Sequence, residues 1–249
     1  MHRARFLVAI TFGAFFSAFS ASAFACGASS GGVAGLSACS LDAHEEEVRP
    51  KWHAGLGFSY TSTALHFDDG SHFDQTRYAA LASLEARPFS KLALQFGAGP
   101  VFGGTLDSGS EHFTSSAGAL LSMSASYRIV DPKGARPFVL GTFGLSFATV
   151  QMSADGPQTR SELYDAWDAR LGAVVGWSIA NVVSPYLLAR AFGGPIYWKH
   201  AGQDVIGTDV HHYQLGAGLG IAIGKRGDLF VEGAPLGEKN ISAGVGLSF

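Results

Sequence analysis

The chain has 249 residues and a formal net charge of −3; charged residues occupy only 15 % of positions, and hydrophobic residues occupy 47 %. This balance gives no electrostatic case for binding nucleic acid, and it excludes an intrinsically disordered chain. Beyond residue 25, no apolar run reaches the about 18 residues that a transmembrane helix needs, so a helical membrane protein is excluded as well.

Residues 1–25 have the organisation of a secretory signal peptide. A basic start precedes an apolar run over residues 6–19, and Ala23-Phe24-Ala25 forms an A-x-A cleavage site. We therefore expect the chain to be exported and the mature protein to begin at Cys26.

Residues 26–50 form a Gly/Ser-rich and acidic segment, which we expect to lie in the periplasm as a tether or a plug. It contains Cys26 and Cys39, the two cysteines of the chain. An even cysteine count in an oxidising compartment favours a disulfide between them. The alternative is lipidation of Cys26, followed by a flexible Gly/Ser tether. Two cysteines without paired histidines do not predict a metal site.

From residue 51 to residue 249, apolar residues recur at every second position, as in β-strands with one apolar face. Turns rich in Gly, Pro, Asp and Ser separate ten such segments. They are predicted near residues 52–61, 77–86, 92–99, 113–129, 139–147, 163–179, 185–198, 211–223, 229–233 and 240–249. A count of eight strands is compatible with the same pattern.

The predicted connections alternate between longer loops, such as 65–74 and 199–209, and short turns, as in transmembrane β-barrels. The second face of the strands is small and polar, so it could not form the dry core of a soluble sandwich. Only a closed barrel lets strands span a bilayer. The sequence therefore predicts an all-β fold, a closed antiparallel transmembrane β-barrel with short periplasmic turns and longer extracellular loops.

Aromatic residues lie towards several strand ends, as expected for the interfacial girdles of a membrane protein. They are Trp52, Tyr60, Phe113, Tyr127, Tyr197, Trp198 and Tyr213.

The last strand alternates strictly and ends on Phe249, with Val245 and Leu247 on the same apolar face. This resembles the terminal strand of bacterial outer-membrane β-barrel proteins, in which a final Phe is taken up by the barrel-assembly machinery. The resemblance implies a location in the bacterial outer membrane. Its implied partners are that machinery during biogenesis, and outer-membrane lipids and lipopolysaccharide afterwards.

Five charged residues fall on the predicted inward face: Glu85, Asp168, Arg170, Arg190 and Glu232. Mixed signs favour ion pairs across a narrow lumen, because isolated buried charges are costly. The alternative is a selectivity constriction in a small aqueous pore. Small inward side chains elsewhere leave room for water or for a plug.

An Asp–His pair, Asp209 and His211, is spaced to share one strand face near the extracellular rim. Omptin proteases, also ten-stranded, use such a pair opposite an Asp pair, for which Asp68 and Asp69 are the candidates here. The resemblance extends to that dyad alone. His211 also shares its phase with Tyr213, predicted to face lipid, whereas a general base must face the groove. A lipid A-modifying activity is the other enzymatic alternative, and no specific motif supports it.

The sequence thus favours a non-enzymatic outer-membrane barrel with a structural or surface-interaction role, or a small passive pore. No cofactor is predicted. Lone histidines in loops, such as His200, His211 and His212, do not predict a metal site. The pattern does not indicate an oligomeric state.

Overall fold

The computed structural model describes residues 52–132, 136–154, 161–200 and 202–249. The predicted signal peptide, Cys26 and Cys39 lie outside these residues. In the described ranges the chain forms a sheet of 13 antiparallel strands. They are β1 (Trp52–Phe67), β2 (His72–Phe89), β3 (Leu92–Asp107), β4 (His112–Ser115), β5 (Gly118–Val130), β6 (Phe138–Ala154), β7 (Ser161–Gly176), β8 (Val183–Gly193), β9 (Ile196–His200), β10 (Gln203–Asp209), β11 (Tyr213–Ile223), β12 (Gly227–Gly237) and β13 (Lys239–Ser248). Among the described residues, no helix is long and apolar enough to cross a membrane.

Ten of the strands pair in a ring. From β1 the pairing passes through β2, β3, β5, β6, β7, β8, β11, β12 and β13 and returns to β1. The final pairing runs from His53↔Ser248 to Ser62↔Lys239, so the first and last strands lie side by side. We call the end of the ring that carries Trp52 and Phe249, predicted to be periplasmic, the lower end. The opposite end is the upper end.

A second ring stands above the first and has fewer strands. Its order is β1, β2, β3, β4, β6, β7, β9 and β10, which pairs with β1 from Leu65↔Asp209 to Phe67↔Gly207. At this level β4 replaces β5, β9 replaces β8, and β10 takes the place of β11–β13. Because barrel diameter grows with strand number, the sheet is narrower at its upper end.

The second ring explains the difference from the ten predicted segments. The predicted strand 113–129 is divided into β4 and β5, and 185–198 is divided into β8 and β9. The predicted loop 199–209 is wrong in part, because it contains β10. The β9–β10 hairpin turns at Gly202, whose φ is 83°. Glycine adopts this left-handed conformation without a steric penalty.

The predicted loop 65–74 is also mostly strand. β1 continues to Phe67 and β2 begins at His72, joined by a tight turn at Gly70 with a φ of 86°. Both strands therefore extend well beyond the level at which the prediction ended them.

The outward face of the ten-stranded ring is apolar. On β1, Leu56 and Phe58 are exposed, whereas His53, Ser59 and Thr61 are buried. Each of the ten strands contributes exposed large hydrophobic side chains, which together form an apolar band. This is the reverse of a soluble barrel, and it matches a surface that contacts lipid.

Tyr60 marks the upper edge of the apolar band on β1, and the next outward residue on that strand is Ser62. Four of the predicted girdle residues are exposed: Trp52, Tyr127, Tyr197 and Tyr213. Phe113 and Trp198 are buried, so the prediction that they face the membrane interface is wrong.

Candidate functional site: the filled interior and the upper rim

The interior of the eight-stranded ring is filled by apolar side chains. A cluster of buried hydrophobic residues receives members from all eight strands of this ring and from β5. The ring of Trp198 on β9 lies 5.0 Å from Phe113, 5.2 Å from Phe73 and 5.5 Å from Phe67, measured between centroids. These partners belong to β4, β2 and β1, none of which pairs with β9, so the rings meet across the interior. We call Phe67, Phe73, Phe113 and Trp198 the aromatic closure.

Sequence reasoning missed the aromatic closure, although a signal for it was present. Leu65 and Phe67 continue the phase of His53, Ser59 and Thr61, so the inward face of β1 changes from polar to apolar along its length. Both residues lie in the predicted loop 65–74, beyond the predicted end of this strand at Thr61.

The interior of the ten-stranded ring is polar, and all five of the predicted inward charges take part in ion pairs. Arg170 donates to both carboxylate oxygens of Glu238 at 2.8 and 2.9 Å, and to Asp168 on its own strand. Arg190 binds Glu232 at 2.9 and 3.1 Å.

Glu85 is the last of the five predicted inward charges, and its carboxylate accepts a hydrogen bond of 2.6 Å from Arg87. The Arg170 guanidinium also lies over the ring of Phe192, 4.5 Å from its centroid. Arg170 lies on β7 and Glu238 lies between β12 and β13, so their contact crosses the interior.

The polar interior has four members that were not singled out from the sequence: His53, Gln214, Asp228 and Glu238. Glu238 binds Arg170, and Gln214 bridges the two networks by accepting from Arg190 at 2.9 Å and donating to Glu238 at 3.0 Å. At the lower end, the buried side chains of His53 and Asp228 contact each other at 2.8 Å. The phase of Asn240 and Ser242, extended backwards, places Glu238 on the inward face, and this signal was available.

The predicted catalytic residues lie at the upper rim in separate environments. Asp209 accepts a hydrogen bond of 2.8 Å from the Thr63 hydroxyl on the neighbouring strand. His211 is exposed, and its ring packs against Tyr213 with centroids 6.0 Å apart. Asp68 accepts from the backbone N–H of Ile206 at 3.1 Å. Among the contacts of the described residues, none joins Asp209 to His211.

Asp69 belongs to a different cluster, which lies on top of the aromatic closure. The Ser71 hydroxyl and backbone N–H donate to its carboxylate, which lowers the pKa of Asp69. His200 lies 3.6 Å from Asp69 and 3.0 Å from Glu111, and its ring stacks on Trp198 at 4.5 Å. The cluster joins the β1–β2 turn, the β3–β4 loop and the end of β9. In the part of the chain that the structure describes, no group of three or more such side chains is arranged to hold a metal ion.

Asp209 lies above the apolar band, since its partner on β1, Leu65, is five residues beyond Tyr60. Burial, reinforced by the Glu238 carboxylate, raises the pKa of Asp209 from its ordinary value of 3.8 to about 6. The unfolded chain therefore binds fewer protons than the folded chain between these two values. The contribution of Asp209 to stability consequently falls as the pH rises through this window.

Replacing Asp209 by asparagine should therefore stabilise the protein at pH 7.5, by about 2 kcal/mol, and should have little effect near pH 4. The amide oxygen can still accept from Thr63, so that hydrogen bond is kept. The free energy of unfolding, measured by urea titration in lipid vesicles at both pH values, checks this. An equal effect at the two values would contradict it.

No protein-family model and no curated protein sequence matches the chain. Among solved structures, it is similar to the translocator domain of the autotransporter NalP from Neisseria meningitidis, with 14 % identity over 82 % of this chain and 90 % of that one and a TM-score of 0.47. It is similar to the outer-membrane protease OmpT from Escherichia coli, with 9 % identity, coverage of 80 % and 96 %, and a TM-score of 0.49. For the β domain of the Bordetella autotransporter BrkA, the identity is 14 %, the coverage 79 % and 99 %, and the TM-score 0.47.

The class of the protein follows from its own geometry. A ring of antiparallel strands satisfies its backbone hydrogen bonds within the sheet, and an apolar outward face with a polar interior suits it to a bilayer. These are the properties of an outer-membrane β-barrel protein. The bacterial outer membrane is accordingly its location.

Proposed function

We propose that the strands form a closed barrel, ten-stranded in the membrane, and that the protein is a non-enzymatic structural or surface-interaction protein without an open pore. The observation that carries this proposal is the aromatic closure, which spans the interior of the upper ring. A water-filled pore would need a polar, open cross-section at this level.

The polar interior of the lower ring supports the same conclusion. The ion pairs of Arg170 and Arg190 join strands that are not neighbours, so their side chains occupy the cross-section below the aromatic closure. Charges lining an ion pathway are available to passing ions, whereas these guanidinium and carboxylate groups bind each other. Because the aromatic closure and the ion pairs below it occupy the interior, the upper rim and its loops are the surface that is left for binding partners.

Conductance in planar bilayers tests the proposal. We expect the purified protein to give no discrete current steps, under conditions in which a general porin inserted into the same bilayer conducts. Reproducible steps from the protein itself would contradict a filled interior and favour the passive pore.

The enzymatic alternative has one observation in its favour. Asp209 is a largely buried carboxyl with a raised pKa at the extracellular rim, and perturbed carboxyls are common at catalytic sites. Turnover of peptides and lipopolysaccharide, compared between the wild type and the variants Asp209→Asn and His211→Ala, tests this. An activity that both substitutions abolish would establish an omptin-like or lipid A-modifying enzyme.

A further inference from the structure

An apolar groove runs along the outward face where β11, β12, β13 and β1 lie side by side. It has a volume of about 450 Å³ and is lined by apolar side chains. Its floor is Ala243 on β13, which is exposed. The cross-strand neighbours of Ala243 are Phe58 on β1 and Val231 on β12, so a small side chain lies between two larger ones.

The groove is open towards the lower end of the barrel. There, Gly227 takes the outward position on β12, opposite Leu247 of β13 and Ile223 of β11. Because glycine has no side chain, no side chain of β12 closes the groove between Ile223 and Leu247 at the edge of the apolar band. The turn just beyond this point holds Lys225 and Arg226, and both are exposed.

These two basic residues differ from Lys91 in the β2–β3 turn, which binds Asp131 at 3.2 Å. Within the described ranges, no carboxylate partner of Lys225 or Arg226 is found. Ile221, a lining residue of the groove, lies two residues, or about 7 Å, before the end of β11 at Ile223, and Lys225 is two residues further on in the turn. An apolar groove and a cationic turn thus follow each other along the same two strands, β11 and β12.

We propose that the groove and the turn together bind one glycerophospholipid of the periplasmic leaflet. Its acyl chain lies in the groove over Ala243, and its phosphate binds Lys225 and Arg226. The apolar lining matches the chain, and the two cations match an anionic headgroup held at the edge of the band. The proposal depends on the placement of the barrel in the bilayer and does not depend on the filled interior.

Charge argues against a second copy of the protein as the occupant. A symmetric dimer in one membrane has its axis along the membrane normal, and its interface joins the same patch of both copies. Both dibasic turns would then face each other at the same depth, and their like charges would repel.

Native mass spectrometry of the intact barrel, released from a mild detergent with phosphatidylglycerol added, tests the proposal. We expect the wild type to retain one phosphatidylglycerol. Ala243→Leu fills the floor of the groove and should reduce retention at least tenfold. The matched control is Ala169→Leu, at an exposed outward alanine on the far side of the ring, and it should retain the lipid as the wild type does.

A second pair of variants tests the headgroup end independently. Lys225→Ala combined with Arg226→Ala should also reduce retention at least tenfold, and Lys91→Ala should not. Equal retention by Ala243→Leu and Ala169→Leu would mean general lipid contact only and would overturn the proposal. It would also be overturned if glycerol phosphate alone bound as well as the whole lipid, or if a dimer appeared that Ala243→Leu abolished. None of these readouts depends on conductance, so the two proposals can fail separately.

Discussion

Replacing Arg170 by leucine should lower the free energy of unfolding by about 3–5 kcal/mol, the largest effect that we expect from a single polar residue. Arg170 is buried and binds both oxygens of Glu238 as well as Asp168. Leucine removes the guanidinium that binds both Glu238 and Asp168, so two carboxylates lose their ion-pair partner inside the barrel. Urea titration in phosphatidylcholine vesicles, with folding followed by the heat-modifiable mobility of the barrel on a gel, measures the loss.

Lys91→Leu is the matched control for Arg170. The side chains of Lys91 and its partner Asp131 are about half exposed, at 45 % and 51 %. Exposed ion pairs contribute at most about 1 kcal/mol, so this variant should unfold nearly as the wild type does. A comparable loss from both substitutions would mean that the interior pair is solvated, and it would argue for a wet, open lower ring.

Replacing Trp198 by alanine should cost about 3–5 kcal/mol, because it leaves a cavity at the centre of the aromatic closure. The indole is 2 % exposed and contacts rings from three strands that do not pair with β9. It also supports His200, which stacks on it. The same urea titration measures the loss in free energy of unfolding. We expect the substitution to destabilise mainly the upper ring, because the ion pairs of the lower ring are unchanged.

Tyr197→Ala provides the comparison for Trp198. Tyr197 is the preceding residue on β9, is also aromatic, and faces outward with 47 % of its surface exposed. Its removal should cost distinctly less, because no packed interior collapses. If the two variants lost equal stability, the upper ring would not be held together by its interior, and the case for a closed barrel would weaken.

Much of the architecture could be predicted because β-strand periodicity is a local property. The alternation of Leu56 and Phe58 with His53 and Ser59 identifies the strand and its two faces without knowledge of the neighbours. The inward positions of the charged residues followed from the same phase. The partner of Arg170 was not predicted, because Glu238 lies 68 positions away and no local pattern specifies contacts across a barrel.

The upper ring could not be predicted for a related reason. The seven residues of β10, Gln203–Asp209, have no clear alternation, and their strand conformation depends on pairing with β9 and with β1. Phe113 carries the phase of a lipid-facing residue, yet the break between β4 and β5 turns it inward. Asp209 and His211 likewise share a phase in the sequence, but the chain leaves the strand between them.

The amino-acid sequence by itself determined the inverted polarity of this barrel, since which face of a strand is apolar depends only on residues two positions apart. The tertiary structure alone decided that apolar side chains fill the interior of the upper ring and that Ala243 lies at the floor of a groove. Both features arise from side chains of strands distant in sequence, whose meeting depends on the registers and on the exchange of strands between the two rings.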